Sequence, residues 1–164
     1  MARRILVVYY SMTGHTRRIA EEVVAALNAD CEEIREPRKR HGLGGVIRAL
    51  FDALTGREPP IEPVQRNPND YDLLVLGGPV WARRMASPVR SYARKHAGKA
   101  RQIAFLCTEG GSGAEQAFDE LQQICRCAPS ATLAVDATQL KESGFGESLR
   151  RFVSILLVLP NQGG

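Results

Sequence analysis

The sequence predicts an α/β fold, a doubly wound domain on a five-stranded parallel sheet. Three observations carry this expectation. Uncharged runs rich in β-branched residues alternate with segments of helical periodicity, in the order β-α-β-α-β-α-β-α-β-α. The strongest runs lack polar alternation, as do strands buried on both faces. Three of them stop at loops rich in glycine or hydroxyl groups, at 11–16, 78–85 and 108–113. Right-handed crossovers place helices on both faces of such a sheet. Ligands then bind beyond the C-terminal strand ends, where the three loops would converge.

Ile5 to Tyr10 is the first buried strand. It enters the loop Ser11-Met12-Thr13-Gly14-His15-Thr16, and from Ile19 the apolar residues Ile19, Ala20, Val23, Ala26 and Leu27 mark one helix face. A helix start with free N–H groups and a positive dipole end is an anion site. Two readings stand for the loop. One hydroxyl serves as an N-cap, or Ser11, Thr13 and Thr16 hold a phosphate. Arg17 and Arg18 sit unfavourably in a first helical turn, and a bound phosphate would relieve that misfit.

Cys31 to Ile34 reads as a short second strand near a sheet edge. Pro37 to Arg66 is long for a connection. Within it Ile47, Leu50, Phe51 and Leu54 follow i, i+3, i+4, i+7, with Thr55-Gly56 as the C-cap. This helix is expected either to pack its apolar face on the sheet or to act as a glycine-hinged lid. Tyr71 to Leu76 is the next buried strand, ending in the loop Gly77 to Met85. Ser87-Pro88 starts a helix. Ile103 to Cys107 is a further strand, followed by a helix over Ala114 to Arg126 with Phe118, Leu121, Ile124 and Cys125 inward. Thr132 to Val135 is the last strand. Gly146 to Leu159 is the last helix, with Phe152, Ile155, Leu156 and Leu159 inward.

With 164 residues and 44% hydrophobic content, the chain suits one domain spanning 1–164. No apolar stretch approaches the ~18 residues of a membrane span. The apolar run after Met1-Ala2-Arg3-Arg4 is too short for a signal peptide, so a cytoplasmic location is expected. Cys31, Cys107, Cys125 and Cys127 form no C-x-x-C and no metal spacing with histidine. They read as free, mostly buried thiols, with no metal site. A net charge of +4, scattered along the chain, does not point to nucleic acid. The dense run Arg38-Lys39-Arg40-His41 reads as a solvated loop.

The loops together resemble those of the flavodoxin-like FMN-binding family. Ser11-Met12-Thr13-Gly14-His15-Thr16 is similar to its phosphate loop, S/T-x-T-G-x-T. Gly78-Pro79-Val80-Trp81-Ala82, with Arg83 after it, resembles the loop that contacts the isoalloxazine ring. Thr108-Glu109-Gly110-Gly111 stands where the third loop belongs. The resemblance covers nearly the whole chain. It implies non-covalent FMN, strand order 2-1-3-4-5 and redox function, with Trp81 stacked on the flavin. Three features depart from the acidic electron carriers of the family: the chain is basic, its third loop has no aromatic residue, and Arg83-Arg84 stand where related sequences often have a small residue. Other proteins of this shape are excluded. Gly77-Gly78 replaces the aspartate of a response regulator, and Cys107 is not followed by the Cys-x5-Arg of a phosphatase.

The leading expectation is an FMN-binding protein that transfers electrons to a redox partner protein. An alternative is an NAD(P)H-dependent quinone or small-molecule reductase. A third, of another class, is a flavin-free interaction module. Either a monomer or a homodimer is compatible with the sequence.

Overall fold

The computed structural model describes residues 3–38 and 40–160; Met1, Ala2, Lys39 and 161–164 lie outside the described residues. The elements are β1 (Ile5–Tyr9), α1 (His15–Leu27), β2 (Asp30–Glu33), α2 (Gly42–Thr55), β3 (Leu73–Trp81) and β4 (Arg84–Met85). They continue with α3 (Ser87–His96), β5 (Ile103–Glu109), α4 (Ala114–Cys125), β6 (Thr132–Asp136), α5 (Ala137–Glu142) and α6 (Gly146–Val158). Five parallel strands stand in the order β2-β1-β3-β5-β6. That is the expected 2-1-3-4-5 once the short β4 is set aside.

Successive residues of a strand point to opposite faces, and here both faces are covered. Val7, Val75 and Leu106 pack with Ile19 and Val23 of α1 and Phe152 and Leu156 of α6. On the other face Val8, Leu74, Leu76 and Phe105 pack with Val89 and Tyr92 of α3 and Leu121 of α4. Double coverage is why the strands read as unbroken apolar runs. Among the described residues, no helix is long and apolar enough to cross a membrane.

The structure corrects several expectations. First, the sheet has six strands rather than five. Gly77-Gly78-Pro79 suggested a loop, yet β3 runs on to Trp81 because Gly78 and Pro79 still pair with Cys107 and Thr108. The chain reverses at Ala82 and Arg83 and returns as β4, pairing Val80 with Met85 and Trp81 with Arg84. Both turn residues have positive φ, 49° and 63°, as a two-residue hairpin turn of type I′ requires.

Second, α5 was not foreseen. Asp136 and Gln139 form a capping box that starts it directly from the end of β6. Third, Ile155 lies on the solvent side of α6, 37% exposed, and Leu149 and Val153 take the inward places. Fourth, α2 is a helix as expected, but it is turned over. Gly45, Ala49, Asp52 and Ala53 face the body, while Leu43, Val46, Ile47, Leu50, Phe51 and Leu54 are exposed.

Arginines explain the orientation of α2. Arg40 is buried rather than solvated, correcting the reading of that basic run. It donates to Glu36 (2.8 and 2.9 Å), to Asp52 of α2 (2.7 Å) and to Ser87 (3.1 Å). Arg84 donates to the carbonyl of Ala53 (2.8 Å), and the buried Arg90 donates to those of Asp52 and Arg57. Cations at the last carbonyls of a helix complement its dipole. The small, polar-capable face therefore docks, and the large apolar face is left outside.

Candidate functional site

The loops after β1, β3 and β5 lie at the same, C-terminal edge of the sheet. They touch one another. The hydroxyl groups of Thr16 and Thr108 are 2.8 Å apart and buried. Gly113 takes φ 113°, and a Cβ there would stand 2.8 Å from the Cα of Arg83 and 3.1 Å from Val80. Only glycine lets the third loop approach the second so closely. Tyr10, just past β1, meets the edge of Trp81 at 5.8 Å between ring centroids.

The first loop leaves its donors open. α1 begins at Gly14, φ 93°, with no side-chain cap, and nothing stands within 4 Å of where a Cβ would sit. The first-turn N–H groups of a helix lack partners within it. The Ser11 oxygen accepts from the N–H groups of Gly14 (3.1 Å) and Arg17 (3.2 Å), which shapes the loop and leaves its own proton to donate. Thr13 and His15 are exposed, and Met12 is half-buried against the core. Thr16 points inward to Thr108, so it ties loops together rather than facing an outside anion. This donor set fits a phosphate: N–H groups, two accessible hydroxyls and a glycine that keeps the approach clear.

The second loop presents Trp81 half-buried. The Arg40 guanidinium lies over its ring at 5.1 Å, a cation–π contact. Burial works against the charge on Arg40, and its bonds to Glu36 and Asp52 outweigh that, holding its pKa above the ordinary value. Tyr10 donates to Glu36 (3.0 Å). Burial first, and then the carboxylate of Glu36, push the Tyr10 phenol upward. Tyr10, Glu36, Arg40, Asp52 and Ser87 thus form one buried network behind Trp81. Sequence reading missed it. The one available signal was Asp52, the lone charge on the small-residue face of α2.

Pro79 and Val80 belong to β3, and Ala82 and Arg83 form its turn. Arg83 is exposed and makes no hydrogen bond or ion pair among the described residues. Arg84 differs: it pairs with Glu120 of α4 as well as with Ala53. In the third loop Thr108 is buried, Glu109 accepts from the N–H of Ala114 (2.8 Å), and Gly110 and Gly111 are exposed. A cavity of about 490 Å³ lies on the β2 side of the first loop, lined by Tyr10, Ser11, Met12, Ile34 and Arg40 among others. The second and third loops do not line it, so it flanks the place where the three loops meet.

No family model matches the chain. Solved structures do. One is a flavoprotein from Lactobacillus acidophilus in complex with FMN, with a TM-score of 0.69 at 20% identity over 86% of this chain and 98% of that one. Another, from Bacteroides eggerthii and described as a flavoprotein, has a TM-score of 0.75 at 20% identity over 96% and 99%. A Fusobacterium nucleatum flavodoxin bound to flavin mononucleotide has a TM-score of 0.55 at 10% identity over 94% and 95%.

The fold is that of the flavodoxins. In a flavodoxin-like sheet the switch between strand directions of winding lies beside β1. The chain's three loops, 11–16, 78–85 and 108–113, lie at the C-terminal edge of the sheet.

Proposed function

We propose that this chain binds FMN non-covalently where its three loops meet, and passes electrons through it. The observation that carries the reading is the start of α1 after Gly14, where the N–H groups of His15 and Thr16 have no acceptor among the described residues, set at the same sheet edge as Trp81. FMN, when bound, supplies transfer of one or two electrons; the protein supplies binding and potential. Ser11 and Thr13, with the N–H groups of His15 and Thr16, would hold the phosphate. Met12 backs the loop from the core side. Trp81 offers the flat apolar surface, and Arg40 and Tyr10 fix its orientation. Pro79, Val80, Ala82, Arg83, Thr108, Glu109, Gly110 and Gly111 supply the walls and backbone polar groups around the ring. The FMN complexes among the structural neighbours support the choice of cofactor. Four free cysteines suit a reducing, cytoplasmic compartment.

A reductase that takes hydride from NAD(P)H and reduces a quinone or other small molecule is a second reading. The third loop favours it: Gly110 to Gly113 brings no aromatic side chain to cover a flavin face. Steady-state NAD(P)H oxidation, with and without a quinone, separates it from a carrier that serves a redox partner protein.

The test is the absorption spectrum of the purified protein, followed by FMN titration of the colourless form read through Trp81 emission. A yellow protein and quenched emission are expected. Thr13→Ala should weaken binding by about 1–3 kcal/mol, because its hydroxyl meets a charged acceptor. A protein that takes up no FMN and leaves Trp81 emission unchanged returns the chain to the flavin-free interaction module.

A further inference from the structure

Helix α2 carries the feature that cofactor binding does not use. Leu43, Val46, Ile47, Leu50, Phe51 and Leu54 form one continuous exposed stripe, with Leu43 77% and Leu54 75% accessible. From these exposures the stripe presents roughly 700 Å² of apolar surface, where the largest patch on an ordinary monomer is about 300–600 Å². A standard interface buries about 800 Å² per partner. One helix face thus supplies nearly the whole requirement, provided that the partner face is equally apolar.

We propose that the partner is a second copy of this chain, and that the two copies pair through their α2 stripes across a two-fold axis. Such an interface uses the same patch twice, and an uncharged stripe at 3.6-residue spacing matches its own copy. The two charges within α2 turn away from the stripe. The one cation, Arg48, bonds back to the carbonyl of Arg38 (3.3 Å) and lies 3.6 Å from Glu36, while Arg38 and Arg57, exposed outside the helix, share a hollow with Phe51. The one acid, Asp52, is spent on Arg40. The centre of the face therefore carries no charge for an ionic partner to read, as in the cores of homodimer interfaces. The helix is also seated in advance. Arg40, Arg84 and Arg90 fasten it to the body, so little chain ordering opposes association.

Sedimentation of the full chain across a concentration series tests the proposal, and the readout is mass, independent of flavin. The expected mass is twice the 18.0 kDa of one chain. Leu50→Glu and Phe51→Glu, both on residues exposed in the single chain, should each weaken association at least 100-fold while leaving the melting temperature of the dilute protein in place. Leu157→Glu, on the exposed end of α6, should leave the dimer intact. A wild-type chain that stays monomeric at 100-fold its assay concentration overturns the proposal. So does a dimer that survives both α2 variants, or one that Leu157→Glu dissociates. A monomer that floats with phosphatidylglycerol vesicles, and loses this with Phe51→Glu, would assign the stripe to lipid instead.

Discussion

Arg83 and Arg84 are neighbours in sequence and differ in every contact. Arg83 stands in the β3–β4 turn with its charge in solvent. Arg84 is half-buried, paired with Glu120 and bonded to Ala53. A cation beside the proposed flavin site favours the reduced, anionic form of FMN, so Arg83 alone should act on the potential. Arg83→Gln is expected to lower the midpoint of the bound flavin by roughly 10–30 mV at low salt, less when ions screen it. Arg84→Gln should leave the midpoint in place and cost about 1–3 kcal/mol of stability, since it leaves the Ala53 carbonyl without its donor and Glu120 with only the Met85 N–H and the 3.7 Å contact of Arg90. Redox titration and thermal unfolding of the two variants check this; equal shifts in potential would put both charges at the ring. The loop composition around these residues was legible in the sequence. The difference between them was not, because Glu120 lies 36 residues away on another helix.

At the scale of elements, helix α2 depends on Arg40. Its removal leaves the buried Asp52 without a cation and the buried Glu36 with only the Tyr10 hydroxyl and the 3.6 Å contact of Arg48. Arg40→Met should destabilise the fold by about 3–5 kcal/mol, a fall in melting temperature of roughly 10 °C for a chain of this size. Arg48→Met breaks a 3.6 Å contact to Glu36 and an exposed 3.3 Å bond to the Arg38 carbonyl, from a side chain 36% exposed, and should cost less than about 1 kcal/mol. Comparable melting curves for the two variants would contradict the buried network. The helix itself was readable from its periodicity, as were β1, β3, β5 and α4. Its orientation was not. Hydrophobic spacing marks a face without saying what the face meets, and here three distant arginines outweigh six apolar side chains. The β3–β4 hairpin was hidden for another reason: Gly-Gly-Pro usually breaks strands, and only pairing with β5 continues this one.

For the molecule as a whole, the two-sided core fixes how its thiols behave. Cys107 and Cys125 are buried in the α3–α4 layer; Cys31 and Cys127 are half-buried. Burial, with a small contribution from Cys127, pushes the Cys125 thiol up to about 12 from an ordinary 9.0. Burial raises Cys107 as well. A folded-state pKa above the unfolded one gives stability that is complete below pH 9 and falls as the pH climbs towards 12. The urea midpoint should therefore decline over that alkaline window, and less so in Cys125→Ala. A thiol reagent at neutral pH should label Cys31 and Cys127 in the native protein and all four cysteines only after unfolding. Native labelling of Cys107 would mean that the layer opens.

The Thr16–Thr108 bond joins positions 92 residues apart. It has a consequence for biosynthesis. The strand that anchors the first loop leaves the ribosome early, yet β3 and then β5 must follow before the loops meet. Until then the emerging N-terminal half holds a loop of the right composition and no cradle. The proposed cofactor thus cannot template the nascent chain. Its uptake would follow the pairing of β5 and would report on a sheet closed from β2 to β5 rather than guide its formation.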